Sequence, residues 1–242
     1  MEGQDIKINA SDGSKFDAYL SLPRSGSGPG VVIISSVFGV DGDVRDMADT
    51  LAGHGFVVAA PDPFWRGDSG PMDRSEDGML RAAERAKDRE TIIERGVQDL
   101  ADTIAELKKH DQCNGRIAVI GLCYGGPYAI LGPARLGCSV GIAFHGTKVQ
   151  NYLDELDGIT APIVLHWGDQ DHALPPEALA QIRAATLGRA NTDITIYPRV
   201  QHGYTSAANP PSYDAAATRN SLARAVEVIN ELRDANSLAA AS

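Results

Sequence analysis

A cysteine between glycines carries the strongest chemical signal in the sequence. Cys123 lies in the run Gly121-Leu122-Cys123-Tyr124-Gly125-Gly126, directly after an apolar strand-like segment and before a helical one. A sharp strand-to-helix turn strains the backbone of its central residue and lifts that side chain above the sheet edge, and small residues on either side permit the turn. The free N–H groups of the following helix favour a thiolate. The run therefore predicts that Cys123 is a nucleophile.

Two other interpretations of the same run remain open. A glycine-rich turn can serve packing alone, and a strand, a glycine-rich turn and a helix can also cradle a phosphate. The run lacks both G-x-G-x-x-G and G-K-[ST], the patterns that are typical of phosphate loops. We therefore favour a nucleophile over a phosphate loop.

A thiol nucleophile needs a base, and the base needs a carboxylate that orients it. Asp171 follows one predicted strand, and His202 follows the next predicted strand along the chain. The intervals between Cys123, Asp171 and His202 are each long enough for one strand–helix–strand step. The three side chains can therefore meet at the carboxyl edge of one sheet. We predict that Asp171 is the acid and that His202 is the base.

Other residues compete for these roles. Asp169 is the competing carboxylate, because it lies in the same turn as Asp171, Gly168-Asp169-Gln170-Asp171-His172. His172 lies in that turn as well. The remaining histidines join no matching set of residues and are predicted to be buried or surface residues that do not catalyse: His54, His110, His145 and His166.

Acyl transfer also requires N–H donors that stabilise negative charge on the substrate oxygen. The N–H of Tyr124, directly after the cysteine, is the first predicted donor. The second donor should come from the loop Ser35-Ser36-Val37-Phe38-Gly39, where we predict the N–H of Val37.

The elements that must position these residues are predicted from apolar patterning. Short β-branched runs alternate with longer helical segments, so the fold class is α/β, with a mainly parallel sheet and helices on both faces. Segments 6–10 and 16–22 predict an antiparallel N-terminal hairpin at a sheet edge. Buried strands are predicted at 31–34, 56–60, 117–120, 140–144, 163–166 and 194–197. Helices are predicted at 43–52, 88–109, 124–136, 176–187 and 213–235, and the charged stretch 81–90 is predicted to be a solvated helix face.

Length and charge restrict the function classes. The 242 residues are predicted to form a single domain, 1–242, which is long enough for a sizeable core. With 22 basic and 32 acidic side chains the formal net charge is −10, so the chain gains nothing from the phosphate attraction that drives nucleic-acid binding. We expect a small-molecule partner, no nucleic acid, and either a monomer or a small homo-oligomer.

Cysteine usage and the lack of long apolar runs indicate the compartment. Cys113, Cys123 and Cys138 lack the C-x-x-C spacing of metal ligands, so no metal is predicted and a reducing cytoplasm is expected. No apolar stretch approaches the ~20 residues that span a bilayer, and the N-terminus shows no targeting segment. We therefore expect a cytoplasmic protein without membrane contact.

Four segments together resemble the dienelactone hydrolase family of α/β-hydrolases, over nearly the whole chain. They are Val37-Phe38-Gly39-Val40, Pro61-Asp62-Pro63-Phe64, Gly121-Leu122-Cys123-Tyr124-Gly125-Gly126, and Gly168-Asp169-Gln170-Asp171-His172 with His202-Gly203-Tyr204. The resemblance implies an α/β-hydrolase fold and a triad of Cys123, His202 and Asp171. It also implies that no cofactor is used and that an ester or enol-lactone is hydrolysed through a thioester acyl-enzyme.

Two positions depart from the pattern of that family. Ser36 stands where family members carry a glutamate that helps to form the thiolate, so activation should depend on His202 and the helix dipole. Ser206 stands where they carry an arginine for a substrate carboxylate, so a neutral or amphipathic substrate is expected. Arg81, or another arginine such as Arg85 on the same helical stretch, is the candidate anchor for a carboxylate.

The other predicted substrate-binding residues are apolar or lie in the oxyanion loop. Ser36 and Phe38 flank the predicted donor Val37, while Tyr204 and the segment Pro63-Phe64-Trp65 are predicted to supply apolar walls. The predicted function is therefore a cysteine-dependent hydrolase of small carboxylic esters or lactones. The alternative is a non-catalytic ligand-binding or redox-sensing thiol protein on the same fold.

Overall fold

A single mixed sheet forms the centre of the protein. The computed structural model describes residues 2–87 and 89–238, with side chains described as far as Arg233. Its strands are β1 (Gln4–Asn9), β2 (Lys15–Ser21), β3 (Gly28–Ile34), β4 (Val57–Pro61), β5 (Cys113–Leu122), β6 (Val140–Phe144), β7 (Ile163–Gln170) and β8 (Thr192–Gln201). They lie in the order β1-β2-β4-β3-β5-β6-β7-β8.

The N-terminal hairpin forms one edge of this sheet. β1 and β2 pair antiparallel, with Ile8 opposite Phe16, and both side chains are buried. β2 pairs antiparallel with β4, whereas the pairings from β4 through to β8 are parallel. The predicted α/β class, the mainly parallel sheet and the edge hairpin are therefore confirmed.

Helices cover both faces of the sheet. They are α1 (Gly42–Gly53), α2 (Glu76–Arg85), α3 (Arg89–Leu107), α4 (Tyr128–Leu136), α5 (Pro176–Thr186) and α6 (Ala215–Leu238). α1 and α6 pack with Val31 and Ile33 of β3, while α3 and α4 pack with Val32 and Ile34 on the opposite face. Because alternate residues of a strand point to opposite faces, a strand covered on both sides must be apolar throughout. Among the helices of the described residues, none is long and apolar enough to cross a membrane.

β7 and β8 extend farther than the sequence predicts. They remain paired as far as Gln170 and Gln201, although the register shifts after Gly168. Asp171 and His202 therefore each follow directly on the last paired residue of a strand. The sheet itself sets the distance between these two side chains.

The charged stretch 81–90 is not one solvated helix face. It is divided between α2, which ends at Arg85, and α3, which begins at Arg89, and the predicted helix start at Asp88 lies outside the described residues. Arg85 is only 6% exposed. The prediction was wrong because a guanidinium can be buried where backbone carbonyls accept its hydrogen bonds.

Candidate active site

The cysteine motif forms a strained turn at the carboxyl edge of the sheet. β5 ends at Leu122, a short 3₁₀ turn begins at Cys123, and α4 starts only at Tyr128. Cys123 has a φ of 49°, in the left-handed region that non-glycine residues rarely adopt. A Cβ on Gly121 would lie 2.0 Å from the carbonyl oxygen of Gly125, so a side chain has no room there. The glycines are therefore required by the turn.

Three side chains from three strand ends meet at this turn. His202 Nε2 lies 3.2 Å from Cys123 Sγ. On the other side of the ring, His202 Nδ1 lies 2.9 Å from Asp171 Oδ1 and 3.0 Å from Asp171 Oδ2. Asp171 is buried, and the other two side chains are partly buried. The sulfur, the imidazole and the carboxylate thus form one continuous chain of contacts.

The surroundings of His202 favour its charged form. Burial of the ring opposes the charge, but the hydrogen bonds with Asp171 and Cys123 outweigh burial and raise the pKa of His202 to about 10. The raised pKa favours a proton on Nε2, between the carboxylate and the sulfur. A cation in this position stabilises a thiolate.

The competing carboxylate contacts a different group. Asp169 is exposed, and its Oδ1 accepts a 2.6 Å hydrogen bond from the backbone N–H of Arg199. Asp171 Oδ1 accepts the N–H of Ala173 at 2.8 Å while it also faces His202. Of the two aspartates, Asp171 is therefore the one that contacts the imidazole.

A second histidine, His145, lies at the site and was not predicted there from the sequence. His145 is buried, as predicted, but its ring lies edge-on to His202, with 5.1 Å between ring centres. Its Nε2 lies 2.8 Å from Thr205 Oγ1. His172 approaches the same ring of His202, at 5.3 Å between ring centres. The signal that identifies His145 is its place directly after β6, because the carboxyl ends of adjacent parallel strands share one edge.

Burial keeps the second histidine neutral. It lowers the pKa of His145 well below the ordinary value, and the neighbouring His202 adds to this effect. One potential ligand atom from each of Cys123, His145 and His202 lies within 4.8 Å of the others. These three residues could therefore hold a metal ion.

The predicted oxyanion loop forms a tight turn after β3. The N–H of Gly39 donates to the carbonyl oxygen of Ser36 at 3.0 Å. Ser36 Oγ accepts the N–H of Phe38 at 3.2 Å. Val37 borders the same apolar cluster as Cys123. The N–H groups of Val37 and Tyr124 stay the predicted oxyanion donors.

Two arginines of the charged stretch hold the backbone of this site. Arg85 Nη1 donates to the carbonyl oxygen of Val37 at 3.2 Å. Arg89 Nη2 donates to the carbonyl oxygens of Tyr124, at 2.6 Å, and of Thr147, at 2.9 Å. Burial lowers the pKa of both guanidiniums. Both arginines therefore stabilise the loops from which oxyanion donors are predicted.

Arg81, the predicted anchor, and Ser206, one of the two positions that depart from the family pattern, lie in different surroundings. Arg81 is exposed and forms an ion pair with Asp68 at 2.5 Å. Arg74 instead reaches the Ser206 position: its Nη2 donates to Ser206 Oγ at 2.9 Å, and its guanidinium lies 3.3 Å from the centre of the Phe38 ring. Arg74 lies between predicted elements, so its contact with Ser206 could not be predicted from the sequence.

Two aromatic side chains that were predicted to line the substrate space contact other parts of the protein. Tyr204 is fully buried and packs edge-on against His145, at 5.2 Å between ring centres, so it supports that ring instead of lining substrate space. Trp65 stacks on Phe16 of the hairpin at 5.5 Å. The position of an aromatic residue beside a motif does not fix the direction of its side chain.

A cysteine in a strained turn above the carboxyl edge of such a sheet, contacting a histidine that an aspartate orients, is typical of α/β-hydrolases. A profile of the dienelactone hydrolase family matches residues 16–233 of this chain. The chain belongs to the dienelactone hydrolase family, and it is a hydrolase.

Individual relatives cover nearly the whole chain. Carboxymethylenebutenolidase 1 of Cupriavidus pinatubonensis is 30% identical over 236 residues, which are 97% of this chain and 99% of that protein. A carboxymethylenebutenolidase of a Pseudomonas species is 31% identical over 235 residues, 96% and 97% of the two chains. The crystal structure of a dienelactone hydrolase-like promiscuous phosphotriesterase from metagenomic libraries superimposes with a TM-score of 0.77 at 21% identity, covering 96% of this chain and 99% of that one. This structural likeness shows the shared fold.

Proposed function

We propose that this protein hydrolyses small carboxylic esters or lactones, with Cys123 as nucleophile, His202 as general base and acid, and Asp171 as the carboxylate that orients His202. The single observation that carries the proposal is the 3.2 Å contact of His202 Nε2 with the sulfur at the strained turn. Relatives named carboxymethylenebutenolidase support a lactone or ester as the substrate.

The first step forms a thioester. Cys123 Sγ attacks the carbonyl carbon of the substrate, and the proton that the sulfur shares with His202 stays on Nε2. As the tetrahedral intermediate collapses, the bond from carbon to the leaving oxygen breaks. His202 Nε2 then delivers its proton to that oxygen, so an alcohol leaves, or the ring of a lactone opens.

The second step hydrolyses the thioester. A water molecule loses a proton to His202 Nε2 and attacks the acyl carbon. The bond between carbon and Sγ then breaks, and the sulfur leaves as a thiolate beside the imidazolium. The carboxylic acid is released, and Cys123 and His202 return to the state they had before the reaction. Asp171 keeps Nε2 directed at the sulfur in both steps, because it holds Nδ1.

The substrate oxygen becomes negatively charged in both steps. The N–H groups of Tyr124 and Val37 are our proposed donors to that oxygen. Ser36 has no carboxylate, and its hydroxyl already accepts the N–H of Phe38. We therefore assign the transfer of the thiol proton to His202 alone.

Two of the arginines near the site, Arg74 and Arg81, support a neutral or amphipathic substrate. Arg74 lies 3.3 Å from Asp41, and Asp43 accepts the hydroxyl of Ser206 beside it. Arg81 is paired with Asp68 at the surface. Each guanidinium therefore already has a carboxylate nearby, and a carboxylated substrate would compete with it.

A panel of chromogenic esters with increasing acyl length, combined with intact-protein mass spectrometry, tests this function. The wild type should turn over short neutral esters and show the mass of one acyl group before steady state. Cys123→Ala should lose both signals, whereas the matched variants Cys113→Ala and Cys138→Ala keep them. Full turnover by Cys123→Ala would overturn the mechanism. Alkylation of Cys123 without any turnover would favour a redox or binding protein instead.

A further inference from the structure

A sulfur and two imidazoles converge at the carboxyl edge of the sheet. Cys123, His145 and His202 follow β5, β6 and β8, and one potential ligand atom of each lies within 4.8 Å of the others. The hydrolytic mechanism uses Cys123 and His202 but assigns no role to His145. A thiolate and two neutral imidazoles are a ligand set that suits zinc.

The dimensions of this cluster fit a small ion. In a tetrahedral zinc site, with bond lengths of ~2.0 to ~2.3 Å, the ligand atoms lie about 3.5 Å apart. Cys123 Sγ and His202 Nε2 are already 3.2 Å apart. The ligand atoms of the cluster lie within 4.8 Å of one another, so a shift on the order of 1 Å brings them to the tetrahedral spacing.

The surroundings of the two rings also suit metal binding. Metal-bound histidines usually donate their other ring N–H to a carboxylate, which fixes the ring and its tautomer. Asp171 makes this contact with His202 Nδ1 at 2.9 Å. His145 is 3% exposed, and packing against His202 and Tyr204 holds its ring beside the cluster.

We propose that Cys123, His145 and His202 form a binding site for a zinc ion, which occupies the nucleophile and reversibly blocks the hydrolase. A water molecule would complete the four ligands. Inhibition by zinc rests on the proposed function, because it assumes that Cys123 is the nucleophile. The binding site itself rests on the geometry of the three side chains.

The proton balance of binding is defined. Cys123 and His202 together hold one proton, either on the sulfur or on Nε2. Zinc bonds to the sulfur and to both imidazoles, so that proton is released to solvent and no bond is oxidised or reduced. Binding should therefore release one proton for each zinc ion.

Titration of chelator-treated protein with Zn²⁺ in a calorimeter tests the site, and Co²⁺ serves as the spectroscopic probe. We expect one ion per chain, a sulfur-to-cobalt absorption band in the near ultraviolet, and loss of ester turnover that a chelator restores. The decisive variant is His145→Asn, because His145 has a φ of 42° and asparagine tolerates this backbone better than most residues. It should weaken zinc binding by at least about tenfold.

The matched control is the same substitution at an exposed histidine, His54→Asn, which should bind zinc as the wild type does. Equal zinc affinity in His145→Asn and the wild type would overturn the proposal. If circular dichroism shows that His145→Asn is misfolded, the wild-type cobalt spectrum decides, since absence of the sulfur band rules out Cys123 as a ligand. Zinc binding by a protein without ester turnover would sink the proposed function and leave the metal site standing.

Discussion

Arg89 donates a 2.6 Å hydrogen bond to the carbonyl oxygen of Tyr124, the residue directly after the proposed nucleophile Cys123. The same nitrogen donates to the carbonyl oxygen of Thr147, whose N–H in turn donates to the carbonyl oxygen of Cys123 at 2.8 Å. One partly buried guanidinium therefore links the strained turn to the loop after β6. Arg89 is a positioning residue, because it acts through the backbone of the turn.

The first prediction concerns the loss of these hydrogen bonds of Arg89. Arg89→Met should lower kcat on the order of ten- to a hundredfold with a smaller change in KM, because a displaced nucleophile reacts slowly with a substrate that still binds. Arg89→Lys should recover part of the loss. Arg95→Met, an exposed substitution on the same helix, is the control. A change in KM alone would contradict a positioning role.

The second prediction concerns the acid and the base. His202→Ala and Asp171→Ala should each lower kcat/KM strongly, and the double variant should be little worse than His202→Ala, because Asp171 acts only through His202. Asp169→Ala, with a carboxylate that binds the backbone of Arg199, is the matched control. Additive losses, or a larger loss in Asp169→Ala than in Asp171→Ala, would contradict the assignment.

The third prediction follows from the raised pKa of His202. Because its pKa is about 10 in the folded protein, this histidine adds stability that is fully present below the unfolded pKa of about 6.5 and is lost as the pH rises through 10. The free energy of unfolding of the wild type, measured in urea relative to His202→Gln, should therefore fall between pH 7 and pH 10. A constant difference over this range would show that the pKa is not raised.

The fourth prediction concerns the charge of the substrate. A carboxylated lactone and its neutral methyl ester share a reacting centre, and we expect a higher kcat/KM for the ester. The missing arginine at position 206 removes a charge-assisted contact of ~1.5–3 kcal/mol, roughly ten- to a hundredfold in affinity. Arg81→Ala and Arg74→Met should leave the ratio of the two substrates unchanged. A preference for the carboxylate that either variant abolishes would identify that arginine as an anchor.

The sequence predicts those parts of the fold and site that follow from local rules. Buried parallel strands require continuous apolar runs, and the strained turn requires the small residues Gly121 and Gly125. The positions of Asp171 and His202 follow from one further rule, since carboxyl ends of parallel strands meet at one edge. These features depend on residue type and order along the chain.

The remaining parts depend on side-chain direction, which packing decides. Arg85 and Arg89 lie in a charged stretch like many solvated ones, yet their guanidiniums turn inward to backbone carbonyls. Tyr204 follows His202 closely in sequence, yet it is fully buried and packs against His145. No periodicity distinguishes these outcomes, because they result from contacts between residues far apart in the chain.

The pairing of β7 with β8 makes activity dependent on the correct assembly of the sheet edge. β8 is the outermost strand, and its last paired residue, Gln201, stands opposite Gln170 immediately before the acid and the base. A slip of one residue would turn every side chain of β8 to the opposite face of the sheet. Turnover therefore requires that β8 pairs in the correct register. Fraying of this edge should abolish turnover while the core stays folded.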